Sequence, residues 1–370
     1  MGSGPSQERE VLPPGPPYPG PAVEYSFIET EVTMTGKMAF AASNRMITTN
    51  IDSYYPILGQ KYAEGFRLLS FYRIPYAAQQ HIFSTSMVVP FQGFFCRYPT
   101  LPRFEGWNLH IVKAVMVMQV VRHGLIGATV DTDTSQINQA IAENTRTGGR
   151  LICVETTGQI RRQGFAAEMR GGGPVMGVDL FFDMPSAPTN ELYAYMCVPC
   201  PVQLKTNLSF GGTGLSVNCN WLGIMTEYLS KGWRLVEVFF DDGFKHKALS
   251  RKMDLNSIWF FEKPMSRMND DTAVYEGVVL EHYVELRTVC GGVATNTKWE
   301  PVIERFGREG WELACIVETL EGNRTGCTTA ELKVLLFLQR PILQAHVRDQ
   351  AQGSAHDDQY GKAPDEFNSI

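Results

Sequence analysis

The sequence predicts an α+β chain made of four tandem β-α-β-β units, antiparallel sheets each with a short helix, paired into two associated domains. Three observations predict it. The stretches "NCNWLGIMTEYLSKGWRLVEVFF" (218–240) and "NTKWEPVIERFGREGWELACIVE" (296–318) place Asn, Trp, Gly-Trp and Leu at the same spacing. Two further stretches, 54–73 and 137–156, keep the frame with other residues, and repetition at a fixed period is the mark of a repeated structural unit. Each of the four is preceded by a long β-rich run and closed by an apolar run that ends in Pro.

The first landmark is Tyr54, Ile137, Trp221 or Trp299, and the second, twelve residues on, is Phe66, Gly149, Trp233 or Trp311. The first landmarks are 83, 84 and 78 residues apart. Between the landmarks, apolar residues recur at four-residue spacing (Tyr54, Leu58 and Tyr62; Trp221, Met225 and Leu229), which is the stripe of a short helix. Gly65, Gly148, Gly232 and Gly310 then stand where a left-handed residue ends a helix without steric cost. The runs "RLLSFYR", "RLICVET", "RLVEVFF" and "ELACIVE" follow as strands, and "FQGFFCRYP", "VMGVDLFFDMP", "SIWFFEKP" and "LKVLLFLQRP" as a last strand with Pro at its margin. Upstream lie the long strands within 23–34, 109–121, 191–204 and 274–286.

A helix on a small antiparallel sheet cannot cover both of its own faces, so the units must pack on one another. The expected domains are 23–190 for units 1 and 2 and 191–345 for units 3 and 4. Residues 1–22 carry seven prolines and little to bury, and read as a disordered Pro-rich arm. Residues 346–370 read as a disordered acidic tail. The aromatic pairs read as core residues rather than as a ligand cage.

A net charge of −6 leaves no electrostatic footprint for nucleic acid, and no basic run to hold an anionic membrane surface. The eight cysteines are scattered through apolar segments, as expected of reduced cysteines, and no disulfide framework is read. "CVPC" (197–200) lacks a second pair at ligand spacing, so no metal site is assigned. No run approaches the roughly 18 apolar residues of a membrane span, and no signal peptide is read, so the sequons at Asn207 and Asn323 are expected to be unused.

Catalytic signatures are missing as well. "GGGPVMG" (171–177) and "FGGTG" (210–214) lack the lysine of a phosphate loop and read as flexible loops. The histidines form no ligand pair, and no Ser sits in G-x-S-x-G. Asp131 with Asp133, and Asp241 with Asp242, are the carboxylates that could gather a cation; they read as solvated or capping residues, with Asp133 and Thr134 at the start of the second helix. The chain is therefore expected to be no enzyme, with no cofactor.

The last two units resemble the raftlin family of lipid-raft-linking proteins, through "NWLGIMTEYLSKG" (220–232), "WFFEKP", "YEGVVLEHYVEL", "WEPVIERFGREGWELACIV" and "LLFLQRP" (335–341). The front adds "VEYSFIETEVT", "YAEGFRLLSF" and "QHIF" (80–83). The resemblance implies a membrane-associated adaptor in raft organisation, receptor signalling or endocytic uptake. It also implies a start that carries a myristate on glycine and a palmitate on the next cysteine. Here "MGSGPS" keeps Gly2 and Ser6, which fits myristoylation at Gly2, but Ser3 replaces the cysteine and cannot be palmitoylated. The expected partners are membrane lipids, through an N-terminal acyl chain, and unidentified proteins; "PPGPPYP" in the arm offers an SH3-type ligand. The expected location is the cytoplasmic face of the plasma membrane, shared with the cytoplasm. The alternative is a soluble protein whose paired units hold a lipid or other small ligand.

Overall fold

The protein is described here by a computed structural model, which covers residues 18–38, 45–75, 78–80, 86–100, 106–122, 128–161, 173–209, 212–246, 252–290 and 292–343. The chain is mostly antiparallel sheet with a few short helices. In the first quarter, β1 (Glu24–Met38) and β2 (Arg45–Thr49) form a hairpin, α1 (Tyr55–Ala63) follows a 3₁₀ turn, and β3 (Arg67–Arg73), the short β4 (Ala78–Gln80) and β5 (Ser86–Arg97) complete it. The second has β6 (Trp107–Arg122), β7 (Ala128–Asp133), α2 (Ser135–Thr145), β8 (Arg150–Arg161) and β9 (Val175–Pro185). The third has β10 (Tyr193–Pro199), β11 (Val202–Ser209), β12 (Gly212–Asn218), α3 (Trp221–Leu229), β13 (Arg234–His246) and β14 (Lys252–Pro264). The fourth has β15 (Tyr275–Val289), β16 (Gly292–Asn296), α4 (Glu300–Arg308), β17 (Glu312–Arg324) and β18 (Thr329–Pro341).

Four findings differ from the sequence reading. A short strand pairs back on the long one before each helix, as in β1–β2 and β15–β16. These strands ("RMITT", "ATVDTD", "GTGLSVN", "GVATN") are polar or Gly-containing and alternate over at most two apolar residues, too short a pattern by which to read them. The third long strand breaks between β10 and β11 at Cys200 and Pro201, because Pro has no N–H to give the ladder, although both halves pair with β14. The glycine-rich stretches read as loops are partly strand: Val175–Gly177 belong to β9 and Gly212–Gly214 to β12. At the end of the Pro-rich arm, Tyr18 is placed, its hydroxyl 3.0 Å from the Pro341 carbonyl and its ring under Arg340. Residues 1–17, with Gly2 and Ser3, and the tail after residue 343 lie outside the described residues.

The helix-ending glycines adopt the conformation their positions demand, with φ of +82°, +88°, +76° and +79° at Gly65, Gly148, Gly232 and Gly310. Each helix buries its stripe between its own quarter and the following one. Leu58 and Tyr62 of α1 pack with Trp107, Leu109 and Ile111 of β6. Ile137 and Ile141 of α2 pack with Val236, Phe239 and Phe260 of the third quarter. Met225 and Leu229 of α3 meet Cys315, Leu335 and Phe337 of the fourth. Trp299 and Ile303 of the fourth meet Val23, Tyr25 and Phe94 of the first. Every apolar core is thus shared across a boundary between quarters, and the last closes on the first. Strand pairs β2–β8, β7–β13 and β4–β16 join quarters in the same way.

Candidate functional site

The cyclic packing brings the four strands that follow the helices, β3, β8, β13 and β17, side by side along the middle of the molecule. Each carries a register shift against its neighbour just after its second residue, at Leu68/Ser70, Leu151/Cys153, Leu235/Glu237 and Leu313/Cys315. The extra residues Leu69, Ile152, Val236 and Ala314 are all buried. Such a bulge increases local twist and re-aims side chains, and it separates two chemically different ends of the four strands.

At the beginning of the strands stand Arg67, Arg150, Arg234 and Glu312, each two residues after a helix-ending glycine. Arg67 Nε donates to Asp183 Oδ2 of the second quarter at 2.7 Å. Arg150 pairs with Glu262 of the third, and Arg234 with Glu312 of the fourth, while Arg234 Nη1 also donates to Glu262 Oε1 at 3.0 Å. Tyr98 Oη of the first quarter closes the ring on Glu312 Oε2 at 2.7 Å. Burial alone would raise the Glu262 carboxyl, but Arg150 and Arg234 beside it hold it down to about 2. Glu312 is likewise lowered against its burial, by Arg234 and the Tyr98 hydroxyl. The space here is about 30 Å³, room for a water or two and no ligand.

At the other end the strands open on a cavity of about 550 Å³. Val154, Val238 and Ile316 come to it from three of the central strands, and Trp221, Val217, Phe240 and Leu255 extend the apolar wall. Trp221 stacks on Trp259, with ring centroids 6.0 Å apart, and Trp259 Nε1 is buried without a hydrogen-bond partner among the described residues. Set in these walls are Tyr72, Arg73, Glu155, Glu237, Asp242 and Glu318. Glu237 is 7% exposed and its Oε1 accepts from the Val238 N–H at 2.9 Å. Burial pushes its carboxyl well up, and the neighbouring Glu155 adds to the effect. Glu155 accepts from the Thr156 N–H at 3.1 Å, and burial raises it to about 8 although Arg73 pulls the other way. The Tyr72 phenol is raised by burial first, then by Glu318, Glu155 and Glu237. Neither Glu155 nor Glu237 has an ion pair among the described residues.

The residues singled out from sequence are placed as follows. Asp133 Oδ1 accepts from Ser135 N–H at 2.9 Å at the start of α2, with Thr134 the residue before the helix. Asp241 is buried and its Oδ1 accepts from Gly243 N–H at 2.8 Å, while Asp242 is exposed with φ +58° and lines the cavity. Burial raises the Asp241 carboxyl, and the neighbouring Asp242 and, least, Asp131 add to it. Among the described residues no three such groups come together around a cation. Cys197 is exposed, with Sγ 3.6 Å from Asn138 Oδ1. Cys200 instead neighbours Cys219, whose thiol burial and Cys200 together push up to about 12. Of the aromatic landmarks, Trp299 is fully buried with Nε1 2.6 Å from Gln92 Oε1, Trp233 is 7% exposed, and Trp311 is half-buried beneath Arg340. Trp221 faces the cavity. The arginine ring and the cavity glutamates Glu155 and Glu237 escaped the sequence reading; a Glu between Val236 and Val238 in an otherwise apolar strand was the available signal. Among the described residues no helix is long and apolar enough to cross a membrane.

Comparison with known proteins places the chain in a family. Residues 127–360 match the family described as Raftlin. The protein named Raftlin from Gallus gallus is 32% identical over 164 residues, covering 44% of this chain and 25% of that protein. Raftlin from Mus musculus is 29% identical over 170 residues, 45% of this chain and 28% of that protein, and Raftlin from Homo sapiens 28% over 149 residues, 40% and 25%. The match therefore spans about a quarter of the length of these relatives. No solved structure matches the chain at a significant level.

Proposed function

Since this chain belongs to the raftlin family, we propose that it is a non-enzymatic membrane-associated adaptor that organises membrane rafts for receptor signalling or endocytic uptake. The family match over residues 127–360 carries this reading. The attachment is a myristoyl chain on Gly2, at the cytoplasmic face of the plasma membrane, and the protein partners are engaged there. One myristoyl chain gives marginal, reversible binding, with a partition constant of about 10⁴ M⁻¹, and Ser3 offers no second acylation site. The protein accordingly divides between membrane and cytosol. Fractionation of cells tests this: Gly2→Ala moves the protein fully to the cytosol, and Ser3→Cys shifts it towards detergent-resistant membrane. An unchanged distribution of Gly2→Ala removes the anchor.

A second reading, a small-ligand or lipid-binding protein, is favoured by the cavity of about 550 Å³, within the roughly 300–1,000 Å³ of ligand sites. On either reading the four quarters are taken as tandem copies of one β-α-β-β unit, with an added hairpin strand, and residues 23–190 and 191–345 as its two double-unit domains. Support for the repeat lies in the four helix-ending glycines and the four matching register shifts. Expression of each half alone tests the domain division.

A further inference from the structure

The two ends of the central strands treat buried charge in opposite ways. At the arginine ring, Asp183, Glu262 and Glu312 are each held by at least one guanidinium, so the cost of burying a carboxylate is offset within the protein. At the cavity, Glu155 and Glu237 have no ion pair among the described residues, and Arg73 is the one guanidinium among the described residues that line it. A carboxyl that is both desolvated and unpaired is costly to ionise. Among the described residues no ammonium or guanidinium is seated between Glu155 and Glu237.

The walls narrow what can provide one. Val154, Val238, Ile316 and Trp221 offer hydrocarbon and aromatic surface to a molecule lying along the strands, while the carboxyls are set among them. An anionic amphiphile would bring a like charge to Glu155 and Glu237. A neutral hydrocarbon would fill the volume but leave the glutamates unpaired. An ammonium group supplies three donors and a compensating charge, and charge-assisted hydrogen bonds strengthen where water is excluded.

We propose that this cavity binds an apolar organic amine, with the ammonium group at Glu155 and Glu237 and the hydrocarbon body against Val154, Val238, Trp221 and Ile316. The inference rests on the ligand-binding reading above and names the ligand class. It is independent of Gly2 and of membrane attachment.

Isothermal titration of the full chain at neutral pH with dodecylamine, dodecanol and laurate, each below its micellar or solubility limit, tests it. Dodecylamine is expected to bind about tenfold or more tighter than either of the others, the scale of a charged hydrogen bond retained out of water. Glu155→Gln and Glu237→Gln are each expected to bring dodecylamine down towards dodecanol while leaving dodecanol unchanged. Glu155 is only half-buried, so Glu155→Gln keeps the test intact if Glu237→Gln does not fold. If dodecanol or laurate binds as tightly as the amine, or both variants leave the amine unaffected, the amine assignment is overturned while the ligand-binding reading survives. If none of the three binds, both fall.

Discussion

Arg234 Nη1 lies 3.0 Å from Glu262 Oε1 across the β13–β14 pair, and the same carboxylate is gripped by Arg150 from the quarter before. One buried carboxylate thus ties two strand beginnings together. Replacing it leaves two guanidiniums facing each other out of water, and Glu262→Gln is expected to destabilise the protein by roughly 3–5 kcal/mol in urea unfolding. The charge also sets an acid limit. The folded value of about 2 lies below the ordinary 4.5, so the stabilisation is present above pH 4.5 and is lost as pH falls towards 2. A variant as stable as the parent would show that the ring is dispensable.

The cavity end has the opposite sign. Glu155 is raised from 4.5 to about 8, so its favourable contribution is present below pH 4.5 and is lost as pH rises through about 8. Facing it are Tyr72 and Arg73 of β3, Glu237 of β13 and Glu318 of β17. The Tm of the parent is expected to fall between about pH 5 and pH 9 more steeply than that of Glu155→Gln. Parallel curves for the two proteins would refute the assignment.

The tryptophan landmarks are expected to separate by burial. Trp299 is wholly enclosed and hydrogen-bonded to Gln92, so Trp299→Ala should cost about 3–5 kcal/mol. Trp311 is half-buried under the Arg340 guanidinium, with 4.3 Å between them, and Trp311→Ala should cost clearly less. Chemical denaturation of the two variants side by side decides it, and equal losses would contradict the burial difference.

Gly232 ends α3 with φ +76°, and a Cβ there would stand 2.8 Å from the Thr272 carbonyl oxygen. Both the left-handed backbone and the contact oppose a side chain. Gly232→Ala is expected to lower stability by at least the ~1–2 kcal/mol that an L-residue loses in that region, read as a drop in Tm. A neutral substitution would mean that the helix end readjusts freely.

By itself the sequence determined the local elements: the helical stripes, the glycines that end them, the apolar strands that follow and the prolines at their margins. Each rests on a constraint that acts within a few residues, namely side-chain periodicity, a positive φ or a missing N–H, so it is written where it operates. Family membership was legible for the same reason, being carried by contiguous motifs such as Asn220–Gly232. The hairpin strands were not legible, because polar edge segments such as Gly292–Asn296 owe their pairing to the neighbouring strand β15 rather than to their own pattern. Nor could the sequence place Arg67 beside Asp183, 116 residues away, or gather Glu155 and Glu237 at one cavity. Those meetings are decided by how the quarters close on one another. Each helix has one apolar face to bury and completes its burial only against the next quarter, and that cyclic docking stacks the four central strands with carboxylates paired to guanidiniums at one end and Glu155 and Glu237 without an ion pair among the described residues at the other.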